Sequence, residues 1–220
     1  MMSELHFPKN LSAINSYFSR IADHFKAGAL KSFMDPVFVI IEKIAGKFEI
    51  FASYYLSMYD EMIDQEIELA NVTSTDRILV IGCGSVPATS ILLAKRTDAQ
   101  IIALDHDDAA IQKAKELISW FQVEKNISPV FAEGMNYPLD DFSVIFISYG
   151  VKDPENILLY IQENCAPKTK IIYRTAVDIQ QGASKGFIDL ESLFIVRDSI
   201  LSSSFSSVLS YLLIPKPKDK

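Results

Sequence analysis

Two features of the chain could do chemistry together: a glycine-bearing turn and an acidic residue at a set distance beyond it. Residues 80–87 read Val-Ile-Gly-Cys-Gly-Ser-Val-Pro, and the short apolar run Arg77-Ile-Leu-Val-Ile leads into Gly82 and Gly84. Glycines closing a strand let backbone approach a ligand closely, because a side chain would block the approach and restrict φ. Taken alone, the two glycines are equally well explained by a tight turn. Asp105 ends the next apolar run, Gln100-Ile-Ile-Ala-Leu-Asp, 23 positions after Gly82 (105 − 82). In nucleoside-binding α/β folds an acidic residue roughly 20 positions past the loop accepts hydrogen bonds from the ribose hydroxyls. The pair therefore predicts a nucleoside site with Gly82, Cys83, Gly84 and Ser85 on the ligand and Asp105 on its ribose. Pro87 stands where the third glycine of a phosphate-binding G-x-G-x-x-G would be. A ligand that brings no phosphate to the helix N-terminus fits this loop better than a dinucleotide.

The elements that must position these residues follow from periodicity. Up to about residue 70 the pattern is helical: Ile14, Tyr17, Phe18, Ile21 and Phe25 recur at three- and four-residue steps. Asp35-Pro36 reads as a helix start, and Phe51 to Ala70 as one or two more helices rich in aromatic and acidic residues. Beyond residue 71 short apolar runs alternate with helical stretches: SILLAKR, QIIALD, DAAIQKAKELISWFQ, ISPVFAE, SVIFIS, PENILLYIQENC and KIIYRTA. That alternation predicts βαβ units and a parallel sheet buried on both faces. The last two β-rich runs, SLFIVRDSI and SSVLSYLLI, have no helix between them and should pair antiparallel. The predicted fold class is α/β: a Rossmann-like, doubly wound, mostly parallel sheet over 71–220 with a C-terminal antiparallel hairpin, preceded by an N-terminal helical cap over 1–70.

Composition narrows the partners. A formal net charge of −7 argues against nucleic acid as a ligand, since phosphates reward Lys and Arg. Two cysteines, Cys83 and Cys165, make no disulfide framework and show no metal-ligand spacing, which fits a reducing cytoplasm and no metal site. No apolar run approaches the ~18 residues of a membrane span, and the N-terminus lacks the apolar core of a signal peptide. The expected partner is a small-molecule acceptor, with neither nucleic acid nor membrane, and a homodimer is an open alternative to a monomer.

The residues so far described also resemble a family. IGCGSVPATSILLA followed by ALDHDDAAI resembles motif I and the acidic second-strand motif of class I S-adenosylmethionine-dependent methyltransferases. More narrowly, the run is similar to nicotianamine synthases, whose loop reads like GSGPLPLTSIVLA before a D-x-D segment, here Asp105-His-Asp107. SVIFISYGVKDPENILLYIQENCAPKTKIIYRTA resembles that family's later strand, helix and strand, so the likeness covers about residues 76–177. Two departures stand out: Ser85-Val86 intervene before Pro87, and the third strand is followed by no acid except Glu133. The resemblance implies S-adenosyl-L-methionine as cofactor and transfer to a small-molecule amine or related nucleophile. Methyl transfer is the first expectation, because it is the commoner chemistry of the fold. The alternative is transfer of the 3-amino-3-carboxypropyl arm with release of methylthioadenosine, as in nicotianamine synthases. A non-catalytic S-adenosylmethionine-binding sensor is the remaining alternative.

On that resemblance the loop residues Gly82 to Ser85 line the methionine end, Cys83 chiefly as a small filler. His106 lies over the ribose or adenine edge, or simply on the surface. Glu133 and Met135 border the adenine, with packing as the plainer role for Met135. Ser148 and Tyr149 end the fourth strand where a reacting group would face the sulfonium. In the cap, Tyr54, Tyr55, Tyr59, Asp60 and Glu61 form an aromatic and acidic cluster. Tyrosine faces attract sulfonium or ammonium, and a carboxylate can deprotonate an attacking amine. Tyr149, Tyr55, Tyr59 and Glu61 are thus the catalytic candidates, with Glu42 and Glu49 as further candidate bases. Arg174 ends an apolar strand, where a charge must be paired or used. It binds either a substrate carboxylate or an acid of the protein itself.

Overall fold

The computed structural model describes residues 49–177, 187–202 and 208–217. The expected helices before residue 49, with Glu42 and the side chain of Glu49, lie outside the described residues. The described residues begin with one long helix, α1 (Glu49–Ala70), where the sequence allowed one or two over Phe51 to Ala70. Then follow β1 (Arg77–Ile81), α2 (Ala88–Thr97), β2 (Gln100–Asp105), α3 (Asp108–Trp120), β3 (Ile127–Phe131) and a 3-10 turn over Gly134–Asn136. Beyond them run β4 (Val144–Ile147), α4 (Pro154–Asn164), β5 (Lys170–Ala176), the short α5 (Leu190–Leu193), β6 (Phe194–Leu201) and β7 (Val208–Pro215).

The seven strands form one sheet in the order β3-β2-β1-β4-β5-β7-β6. The pairs β3-β2, β2-β1, β1-β4 and β4-β5 are parallel. The two terminal runs pair antiparallel with each other, and β7 runs antiparallel to β5. The expected α/β fold class with its C-terminal hairpin is what the structure has.

Burial explains why these runs became parallel strands. Every residue of β4, Val-Ile-Phe-Ile, is buried, as a strand covered on both faces must be. Along β1, Ile78 and Val80 face the core under α1, α2 and α3, while Leu79 and Ile81 face the core with Ile157, Leu158 and Ile161 of α4. In α3 the buried residues are Ile111, Ala114, Leu117 and Ile118, one stripe of an amphipathic helix, and Asp107 caps its start by accepting from the Ala109 amide at 2.9 Å. Pro129 is tolerated in β3 because that strand is an edge.

The helix α1 packs on α2 and on β5. Lys170 at the start of β5 donates to the carbonyls of Ala70 and Asn71, at 2.6 and 3.2 Å, and so ties down the helix's C-terminus. Strand order reverses between β1 and β4, which leaves a crevice at the carboxyl ends of β2, β1 and β4.

Candidate active site

The crevice is built on β1 and its turn. Gly82 and Gly84 both adopt positive φ, +79 and +67. The amides of Gly82 and Cys83 both donate to the Leu104 carbonyl, at 2.9 and 2.8 Å, so the turn folds onto the end of β2. A Cβ on Gly82 would come within 2.7 Å of Val151 Cγ1. The glycine is therefore demanded by the neighbouring β4–α4 loop as well as by its own φ.

Asp105 is buried to 8% exposure, and its carboxylate organises the site. One oxygen accepts from the Gly84 amide at 2.8 Å and the other from the Asp107 amide at 3.0 Å. A carboxylate has about four acceptor positions. Two remain, which is what a vicinal diol needs. The residues present thus fit the ribose of a nucleoside cofactor, and the turn brings backbone, not side chains, against it.

The cleft is lined on the β1 and β2 side by Gly82, Gly84, Ser85, Asp105 and His106. Ala132, Glu133 and Gly134 follow β3, and Tyr149, Gly150, Val151 and Lys152 follow β4. Of the residues singled out from sequence, Gly82, Gly84, Ser85, Asp105, His106, Glu133 and Tyr149 are brought together here. Cys83 instead turns into the core beside Val86 and Ala88. Met135 packs in the opposite core cluster, behind the turn that carries Glu133. Ser148 stands behind the glycine turn, its amide donating to the Ile81 carbonyl at 3.0 Å.

The tyrosines and Glu61 are placed differently from Tyr149. Tyr55 and Tyr59 stack on α1 with ring centroids 5.1 Å apart and hydroxyls 2.9 Å apart, packed with the core under that helix. Glu61 lies on the exposed face of the same helix, since two residues beyond Tyr59 is more than half a turn away. None of the three lines the cleft.

Arg174 does not line it either. Its guanidinium is buried and takes up Glu66 of α1 in a two-pronged pair, Nε to Oε1 at 2.8 Å and Nη2 to Oε2 at 2.6 Å. Nη1 donates to Thr89 Oγ1 of α2 at 2.8 Å, and Ser210 of β7 donates to Glu66 Oε1 at 2.7 Å. Burial disfavours the charge on Arg174, but Glu66 with Tyr59 and Tyr55 more than offsets it and holds the pKa above its usual value. The acid that Arg174 binds is the protein's own. Sequence reasoning missed Glu66, which reads as one more solvated helix charge, and missed Lys152. A signal for Lys152 was available: SYGVKDP follows a fully apolar strand and carries both a glycine and a proline.

The fold, with a crevice at its switch point, is the class I S-adenosylmethionine-dependent methyltransferase fold. No protein-family model matches the chain. Among curated proteins it is similar to L-histidine 2-aminobutanoyltransferase of Yersinia pestis, 27% identical over 122 residues, 54% of this chain and 45% of that protein. The protein of the same name from Pseudomonas aeruginosa is 32% identical over 63 residues, 29% of this chain and 24% of the relative. The chain therefore spans less than half the length of the curated relatives it matches. Among solved structures, MtNAS in complex with S-adenosylmethionine superposes with a TM-score of 0.76 at 17% identity, covering 87% of this chain and 78% of that one. An RNA methyltransferase from Salinibacter ruber bound to S-adenosyl-L-homocysteine gives 0.58 at 15% identity, covering 72% and 94%. No helix among the described residues is long and apolar enough to cross a membrane.

Proposed function

We propose that this chain is an S-adenosylmethionine-dependent transferase that moves the cofactor's four-carbon amino acid arm, the 3-amino-3-carboxypropyl group, onto the amine of an amino acid such as L-histidine. The observation that carries the reading is the match to proteins named for aminobutanoyl transfer to histidine, because that arm has the 2-aminobutanoate skeleton. Methyl transfer, the first expectation from sequence, becomes the competing outcome of the same assay.

S-adenosylmethionine supplies a sulfonium whose attached carbons are all electrophilic, so loss of the arm to an amine leaves methylthioadenosine and loss of methyl leaves S-adenosylhomocysteine. The protein has mainly to hold the reactants in line and keep water out. Asp105 holds the ribose through the two acceptor positions its backbone bonds leave open. Glu133 and Gly134 border the base, and the Gly82–Ser85 turn runs beneath the sulfur end. Tyr149 is half-buried in the cleft wall after β4, and its part in this reading is to orient the incoming amine.

The test is mass spectrometry of the nucleoside released from S-adenosylmethionine in the presence of L-histidine. Methylthioadenosine together with the arm's mass added to histidine is the expected result. S-adenosylhomocysteine would establish methyl transfer and sink this reading. Tight cofactor binding with neither product, over a panel of amino acids and amines, would mark a sensor.

A further inference from the structure

The cleft holds a cation that the ribose and base sites do not explain. Lys152 sits in the loop from Ser148 to Asp153, whose backbone takes positive φ twice, at Gly150 (+87) and at Asp153 (+53). A Cβ at Gly150 would meet nothing within 4 Å, so packing is not what requires a glycine there. Between these two residues, Val151 is pressed onto the glycine turn, close enough to exclude any side chain at 82. The loop is thus seated on the floor of the cleft, and the residue after Val151 leads out over it. Lys152 Nζ lies 3.3 Å from His106 Nε2, reaching from the β4 side of the cleft to the β2 side. On the other side of the ring, His106 Nδ1 lies 3.5 Å from Asp105 Oδ1. Both Lys152 and His106 are exposed, so water competes for the contact between them and it is weakly held.

With the ribose on Asp105 and the base toward Glu133, the rest of the ligand must extend toward the β4 loop. The acids of the lining, Asp105, Asp107 and Glu133, all stand on the β2 and β3 side. Lys113 belongs to α3 on that same side, whereas Lys152 is the lining cation carried by the β4 loop, among the described residues. Resting on the transferase reading above, we infer that Lys152 is the carboxylate anchor of this cleft: it leaves His106 and pairs with the α-carboxylate of an amino acid group lying beside Tyr149. That carboxylate belongs either to the donor's four-carbon arm or to an amino acid acceptor, and binding measurements separate the two.

Calorimetric titrations on the full chain compare wild type, Lys152→Met and Lys152→Arg with three ligands. These are methylthioadenosine, which lacks the arm, S-adenosylhomocysteine, which carries it, and L-histidine added to protein saturated with methylthioadenosine. A charge-assisted hydrogen bond contributes about 1.5–3 kcal/mol, so its loss should weaken binding at least about tenfold. Lys152→Met should weaken S-adenosylhomocysteine by that factor while methylthioadenosine binds as in wild type, with Lys152→Arg recovering most of the loss. That pattern assigns the anchor to the donor arm. Unchanged nucleoside binding with histidine weakened by that factor assigns it to the acceptor. Equal weakening of both nucleosides, or no loss for either carboxylate ligand, overturns the anchor. Wild-type protein that binds neither nucleoside overturns the transferase reading, and the anchor with it.

Discussion

At the scale of single residues, Asp105 is the group through which the proposed cofactor's ribose is held. Its carboxylate is already fixed by two backbone amides, so ribose binding needs no reorganisation of the side chain. Asp105→Asn keeps the shape but turns one oxygen into a donor and removes the charge. That change also sets the new amide hydrogens against the Gly84 or Asp107 amide. We expect affinity for S-adenosylhomocysteine to fall at least about tenfold, read by calorimetry, since hydrogen bonds to charged groups contribute about 1.5–3 kcal/mol each. Unchanged affinity would remove Asp105 from the ribose site. The placement of Asp105 beside the glycine turn was legible in the sequence because it depends on local context, a strand end at a set distance from that turn. For Lys152 the local signal reached only as far as a loop with a glycine and a proline after a buried strand, since nothing local shows that its lysine will lie across a cleft from His106, 46 positions away.

At the scale of elements, the same contrast separates the sheet from its tie to α1. Strands such as Val144–Ile147 announce themselves, since burial on both faces selects unbroken apolar runs, and the missing helix between the last two runs dictated antiparallel pairing. The pairing of Glu66 with Arg174 spans 108 positions and four elements, α1, α2, β5 and β7, and only the assembled fold reveals it. Sequence showed that Arg174 needed a partner but could not say whether the partner was substrate or protein. Arg174→Met should destabilise the chain by about 3–5 kcal/mol in denaturant unfolding, because it leaves the buried Glu66 without its cation and with only Ser210 as a donor. The double variant Glu66→Leu with Arg174→Met removes both charges and should recover most of that loss. If the single and double variants are equally unstable, the cost lies in packing and not in a stranded charge.

At the scale of the whole molecule, the cleft lies where the sheet reverses its order, and its walls come from the turns after β1, β2, β3 and β4. A ligand seated there touches four strand ends at once. It should therefore stabilise the global fold, by RT ln(1 + [L]/Kd) for a ligand that binds only the native state. At a hundredfold excess over Kd that is about 2.7 kcal/mol. For a domain of this size it corresponds to a rise in Tm of roughly 5–10 °C. S-adenosylmethionine, S-adenosylhomocysteine and methylthioadenosine should each produce such a rise in a thermal-shift titration. NAD should not, for two reasons. Pro87 occupies the position of the third phosphate-loop glycine, and the acids Asp105, Asp107 and Glu133 that line the β2 and β3 side repel a pyrophosphate. A comparable rise with NAD at the same excess would move the ligand from a nucleoside to a dinucleotide. The donor arm, the anchor at Lys152 and the transfer chemistry would then all have to be abandoned together.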